Sequence, residues 1–230
     1  MPANDYSVNI DDSALQRQGA RPYHHGDLRN ALIEAGLRLL EARPPDGPLE
    51  DLGLREVARE VGVSAAAIYR HFPDKHALKA ALAAEGLARL ARRQQQASTQ
   101  AGRGSAGFLA SGLAYVHFAA EHPVLFRLVF THARPDDLLD APPDTVPTAM
   151  RGLREDIAEL MPPGWTDAQR KAAALHAWAL VHGLALLVLD RQIPADWTLI
   201  ERVLQGFVTE GGEGSGLASF QRRTALPCDP

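Results

Sequence analysis

Residues 64–75 read SAAAIYRHFPDK and bring a phenol, a guanidinium, an imidazole and an ammonium together in Tyr69, Arg70, His71 and Lys75. Such groups donate hydrogen bonds and carry charge, which suits gripping an anion such as phosphate rather than breaking bonds. Ser64 is a good helix N-cap, and Ala65, Ala66 and Ala67 after it present only methyl groups. For catalysis the chain offers little: no nucleophile elbow, no phosphate-cradling glycine loop and no carboxylate pair in a recognisable context. Asp136-Asp137 reads as solvated charge in a loop. No enzyme activity and no cofactor are expected. Among nine histidines, His24-His25-x-Asp27 comes nearest to a metal cluster. The pairs His71/His76, His117/His122 and His176/His182 miss the i, i+4 spacing of a helical metal pair, and no metal is expected.

The elements around this cluster read as helices. Leu28, Leu32, Ala35 and Leu39 recur at helical spacing, with Asp27 near the start where an acid suits the helix dipole. ARPPDGP then breaks the helix. Leu54, Val57, Ala58 and Val61 make a second, short helix, and Gly62 permits a left-handed turn. Val63 plugs the corner, Ser64 opens a third helix that buries Ile68 and Phe72, and Pro73-Asp74 closes it. This is helix-turn-helix spacing. Spacing alone leaves two readings open, a helix hairpin within an ordinary bundle or a DNA-binding unit.

Asp74 can cap a long fourth helix running through Leu78 and Leu82 toward Gln95. The polar, glycine-rich stretch QASTQAGRGSAG reads as a joint near a domain boundary. Beyond it, longer and more apolar helices are expected at about 106–121, 123–132, 144–160, 166–190 and 196–209. No strand pattern with a period of two is convincing. The chain therefore reads as all-α, with a small N-terminal head and a larger C-terminal bundle. Residues 1–20 are expected to form a disordered arm, 21–75 the head, 76–210 the body with 76–100 as a linking helix, and 211–230 a flexible tail.

With 46% hydrophobic and 23% charged residues the chain has the composition of a soluble globular protein. The longest apolar run, Ala177–Leu189, is shorter than the roughly 18–20 residues of a membrane helix, so no membrane association is expected. The N-terminus lacks the basic and apolar regions of a secretion signal, and the single cysteine, Cys228, excludes an internal disulfide framework. A reducing cytoplasm fits both. The net charge of −4 hides an asymmetry: residues 15–95 hold 13 Lys+Arg against 10 Asp+Glu, while residues 96–230 hold 11 against 15.

RPYHHGDLRNALIEAGLRLL, LREVAREVGVSAAAIYRHFPDKHAL and the helix lengths together resemble the tetracycline-repressor (TetR) family of bacterial regulators. The match covers about residues 22–85, and its VGVS…IYRHFPDKHAL core is the specific part. The resemblance implies a three-helix DNA-binding head on an α-helical body that binds a ligand and dimerises, usually as a repressor released from double-stranded operator DNA by a small molecule. Carried over by position, Ser64–His71 is the recognition helix, lying in the major groove. Tyr69 would reach phosphate and a base edge, His71 and Lys75 would grip the backbone, and Arg55 stands where guanine is often read. Arg17 and Arg21 would form a basic arm or stay exposed. Two departures matter. Gly53-Leu54 stands where the family often has a Thr, removing a hydroxyl contact to phosphate. Ala65, Ala66 and Ala67 replace polar side chains and can touch only thymine methyls or let the backbone approach. Base reading would then shift to Arg55, Tyr69 and Arg70, with DNA shape supplying the rest.

LHAWALVHGLALLVLD is similar to a subclass of TetR C-terminal domain named for a Trp and a His-Gly pair (WHG-like), here Trp178 and His182-Gly183, with Gly183 allowing close helix approach. Tyr115, His117, Phe118, Phe126, Phe130, His132 and Trp178 gather on the middle helices as core or as the wall of an apolar cavity. The ligand-pocket candidates are Tyr115, Phe118, Phe126, Phe130, Trp178 and His182, for an unidentified small and largely apolar molecule. The apolar faces near 168–189 and 197–208 are the expected homodimer surfaces. The competing reading is a ligand- or protein-binding module whose degenerate head no longer reads DNA specifically.

Overall fold

The computed structural model describes residues 25–44, 52–132, 138–142, 144–161 and 163–208, with side chains from residue 28 onward. The expected arm and tail, Arg17, Arg21, His24, Asp136, Asp137 and Cys228 lie outside the described residues, as do the side chains of His25 and Asp27. Of the described residues 77% are helical and none is in a strand. The helices are α1 (His25–Glu41), α2 (Leu54–Val61), α3 (Ala65–Tyr69), α4 (Lys75–Gln100), α5 (Gly104–Glu121), α6 (Pro123–His132), α7 (Thr148–Leu160), α8 (Asp167–Leu189) and α9 (Trp197–Val208).

In α1 the expected stripe is only partly the buried one. Leu32, Ala35, Leu37 and Leu40 are fully buried, while Leu28 and Leu39 lie at its margin. The helix packs against α2, α4 and α6 at once, so its apolar face is wider than a single stripe. Head and body share one core. Leu32, Leu54, Ile68 and Phe72 join Leu82 and Leu90 of α4, and these join Phe118, Leu125 and Val129 of the body. Each fully buried large side chain contributes about 1.5–3 kcal/mol, so the head is anchored to the body by packing. Glycines set two close approaches along this seam. A Cβ on Gly36 would lie 2.9 Å from Leu82 Cδ2, and one on Gly86 would lie 2.7 Å from Leu125 Cδ1.

Three expectations change. Residues 96–107 are no joint between separate bodies: α4 continues to Gln100, and Gly102 and Gly104, both at positive φ, turn the chain straight into α5. Gly107 then seats its backbone against Ser98, where a Cβ would meet Ser98 Oγ at 2.7 Å. The polar composition reflects a tight helix corner. Second, α7 starts at Thr148 and not near 144, because Pro147 pushes the preceding residue out of helical conformation. Third, α8 is 23 residues long and, by length and composition alone, apolar enough to span a bilayer. The expectation counted only the unbroken run from Ala177, whereas the helix begins at Asp167, capped by Thr166. Here that helix packs against α5, α7 and α9.

Candidate functional site

The head is built from a short amphipathic pair. Leu54, Val57 and Ala58 of α2 turn inward, and Gly62 at φ 78° reverses the chain. The Val63 N–H donates to the Ala58 carbonyl at 2.9 Å and closes the turn. Ser64 Oγ accepts from the Ala67 N–H at 3.2 Å, capping α3. Inside, Ile68 and Phe72 are fully buried, and the Arg29 guanidinium sits 5.4 Å from the Phe72 ring centre. Asp74 Oδ1 then accepts from the Ala77 N–H at 2.7 Å and starts α4. Residues on α3 thus divide cleanly: Ile68 holds the helix down, and the opposite face looks outward.

That outward face carries the expected contact residues. Ser64, Ala65, Ala66 and Arg70 are exposed, Tyr69 is 46% exposed, and Ala67 and His71 lie half-buried at the edge. The helix ends at Tyr69, so His71 stands in the following turn, its N–H donating to the Ile68 carbonyl at 3.0 Å. Arg55, in the first turn of α2, and Lys75, at the first position of α4, are exposed too. Arg38 pairs with Glu60 and Arg43 with Glu56 on the α1–α2 side. Among the described residues Arg55, Arg70 and Lys75 make no ion pair with a carboxylate, and neither do Arg29 and Arg59 elsewhere on the head, so the outward face offers exposed cations to an external anion.

The body holds a cavity of about 480 Å³ between α4, α5, α6, α7, α8 and α9. Of the six aromatic and histidine candidates, Tyr115, Phe130 and Trp178 line it. Phe118 and Phe126 do not; both are buried in the shared core, where α4, α5 and α6 converge. His182 stands just behind the wall, its Nδ1 2.8 Å from the Tyr115 hydroxyl. Burial pushes the Tyr115 hydroxyl well above the usual phenol range, offset in part by a hydrogen bond with Trp178, and burial pulls the His182 imidazole down. An uncharged phenol and an uncharged imidazole therefore share this hydrogen bond. Among the described residues Gly183 serves no close packing, since a Cβ there would meet none of them within 4 Å.

The polar part of the wall was not foreseen. Gln94, Ser98, Ser111, Thr148 and Asp156 all line the cavity. A signal was present: Leu90, Gln94 and Ser98 follow one another at i, i+4, i+8, which places two polar groups on the buried stripe of α4. Gln94 Nε2 donates to Ser111 Oγ at 3.3 Å and to the Ser111 carbonyl at 3.5 Å. Burial, with Glu159 next, raises the Asp156 carboxyl above the usual range, and Arg103 offsets part of this.

A helix-turn-helix head with unpaired outward cations, on a helical body enclosing an apolar cavity, is the build of a DNA-binding regulator. Residues 32–82 match the family described as bacterial regulatory proteins, tetR family, and residues 108–207 match a tetracyclin repressor-like C-terminal domain. The chain belongs to the TetR family and is a DNA-binding transcription regulator. A solved protein of unknown function from Rhodococcus sp. RHA1 is 29% identical, with a TM-score of 0.62 over 89% of this chain and 98% of that one. TetR-family regulators from Marinobacter aquaeolei VT8 and Streptomyces coelicolor share the fold. The first is 16% identical, with a TM-score of 0.55 over 77% of this chain and 91% of that one; the second is 24% identical, with 0.52 over 85% and 89%.

Proposed function

We propose that the chain is a ligand-responsive repressor that holds double-stranded operator DNA as a homodimer and releases it when a small, largely apolar molecule enters the body. The observation that carries this is the course of α4. Its N-terminus bears Lys75 beside the exposed face of α3, and its C-terminal half supplies Leu87, Leu90, Gln94 and Ser98 to the cavity. At about 1.5 Å per residue the helix is about 39 Å long. A ligand seated between α4 and α7 displaces one end of a rod whose other end grips DNA, and Gly86, pressed on Leu125 and Val129, is its fulcrum. A coupling of about 1–3 kcal/mol between the two sites is typical of such switches and lowers operator affinity by one to two decades. The protein acts in the cytoplasm, without catalysis.

At the DNA, Ser64 to His71 enters the major groove. Tyr69 and Arg55 reach base edges and phosphate, Arg70 contributes to base reading, and His71 and Lys75 grip the backbone. Ala65, Ala66 and Ala67 keep the helix thin, so that part of the specificity comes from DNA shape. The body dimerises through α8 and α9. Leu175, Leu187, Leu199 and Val203 are 39–49% exposed on these helices, and the open space beside Gly183 admits a partner helix, in keeping with the WHG-like likeness. Residues 21–75 act as the head, and 76–210 as the body. The test is a Tyr69→Ala/Lys75→Ala double variant: a folded dimer that no longer retards operator DNA is expected, and normal retardation overturns the assignment.

One observation favours a second reading, a module that binds ligand or protein without reading DNA. Ala65 and Ala66 occupy the exposed face of α3 without polar groups, and Gly53-Leu54 offers no hydroxyl. A salt titration separates the two. Phosphate-gripping binding weakens with a log–log slope of about −0.9 per neutralised phosphate, whereas the second reading gives flat or undetectable binding across a pool of genomic fragments.

A further inference from the structure

Arg29 stands exposed in the second turn of α1, and its guanidinium lies 5.4 Å from the centre of the buried Phe72 ring. Phe72 adjoins His71 and precedes Lys75 by three residues, the two groups assigned to grip the DNA backbone. At about 3.8 Å per residue, the Phe72 Cα lies within about 11 Å of the Lys75 Cα. A third element of the head thus brings a cation to the edge of the outward face.

The partners of this cation narrow its role. Among the described residues the guanidinium makes no ion pair and no side-chain hydrogen bond, and the ring contact draws on its charge without using its N–H groups. Asp74, the acid nearest to Phe72 in sequence, is engaged with the Ala77 N–H at the start of α4. Arg38 differs: about two and a half turns further along α1, on the opposite face, it meets Glu60. An arginine loses rotamer freedom when it grips a ligand. Here the ring already braces the guanidinium, so less freedom remains to be lost. A permanent charge with five donors, held in place, suits phosphate oxygens.

We propose that Arg29 is a further DNA-backbone contact: braced on Phe72, it neutralises a phosphate beside those held by His71 and Lys75, so that α1 joins the DNA interface. This deepens the reading of the head as the DNA-binding site and rests on it. Such a contact positions the head and carries no sequence information.

The experiment measures the affinity of the full-length chain across a salt series for two duplexes, a fragment of the source genome selected by the wild-type chain and a scrambled duplex of the same length. Arg29→Met keeps an apolar cover over Phe72 and removes the charge. Its log–log salt slope should be shallower than the wild type's by about 0.9, one phosphate, on both duplexes. Lowering salt from about 1 M to about 0.1 M then strengthens its binding about eightfold less than the wild type's. Arg29→Lys, which keeps the charge, and Arg38→Met, on the far face of the same helix, should both hold the wild-type slope. Thermal unfolding of each variant is read beside the titrations. If Arg29→Met and Arg29→Lys both melt lower and bind more weakly with the wild-type slope, Arg29 only covers Phe72 and the proposal is overturned. A loss confined to the selected fragment overturns it too, making Arg29 a base reader. A steep wild-type slope that Arg29→Met leaves unchanged sinks this inference alone. A wild-type chain that binds neither duplex, or binds them without salt dependence, sinks the DNA reading and this inference with it.

Discussion

At the scale of single residues, the Tyr115–His182 contact joins the cavity wall to the shared core. Removing the hydroxyl leaves His182 Nδ1 without its hydrogen-bond partner, and such losses cost about 1–2 kcal/mol. Tyr115→Phe should lower the thermal midpoint by several degrees in calorimetry without altering the helical spectrum. The pair also sets a sign for pH. The His182 imidazole is held below its ordinary value of 6.5 by burial, so the unfolded chain takes up the proton first as pH falls. Stability from the neutral ring is complete above about 6.5 and drains below it. Thermal scans between pH 7 and 5 should show a fall that His182→Gln flattens; an equal fall in the variant would assign it elsewhere. The aromatic members of the wall were legible as a cluster, but Phe118 and Phe126 share that chemistry and went to the core. Residue type does not reveal which face of a crowded helix meets a cavity and which meets a neighbour.

At the scale of elements, breakers and caps made the head readable. Ser64, Asp74 and Gly62 do locally what their types favour. Gly62 at φ 78° is the test of the turn: Gly62→Ala forces a side chain into left-handed backbone and should cost about 1 kcal/mol or more, read as a lower unfolding midpoint and weaker DNA retention. The α4–α5 corner was misjudged because glycine marks tight turns and loose joints alike, and only the contact of Gly107 with Ser98 distinguishes them. Gly86 tests the link between head and body. A Cβ there would stand 2.7–2.8 Å from Leu125 and Val129, so Gly86→Ala must displace those two side chains or part α4 from α6. Overpacking of this kind costs about 1–3 kcal/mol, and operator affinity should change in this variant although the residue lies far from α3. Unchanged affinity with a lowered midpoint would make Gly86 a packing residue and no fulcrum.

At the scale of the whole molecule, the all-α class and the division into head and body were legible from helical period and breakers. The joining of both through one core was not, because it depends on packing between elements far apart in sequence, such as α1 and α4 against α6. The exposed Leu199 and Val203 lie on one face of α9. Leu199→Glu/Val203→Glu should give a monomer in analytical ultracentrifugation and, with the second head lost, weak DNA binding; a variant that stays dimeric would place the interface elsewhere. Two heads in a symmetric dimer address half-sites about 34–36 Å apart. The measurement that tests the account most directly selects fragments of the source genome with the purified chain and titrates salt against the affinity for the best fragment. The account expects an inverted repeat with half-sites about one helical turn apart, and an affinity that falls steeply with salt by several phosphates' worth of slope. Enrichment of no sequence, or binding that salt leaves unchanged, would contradict it.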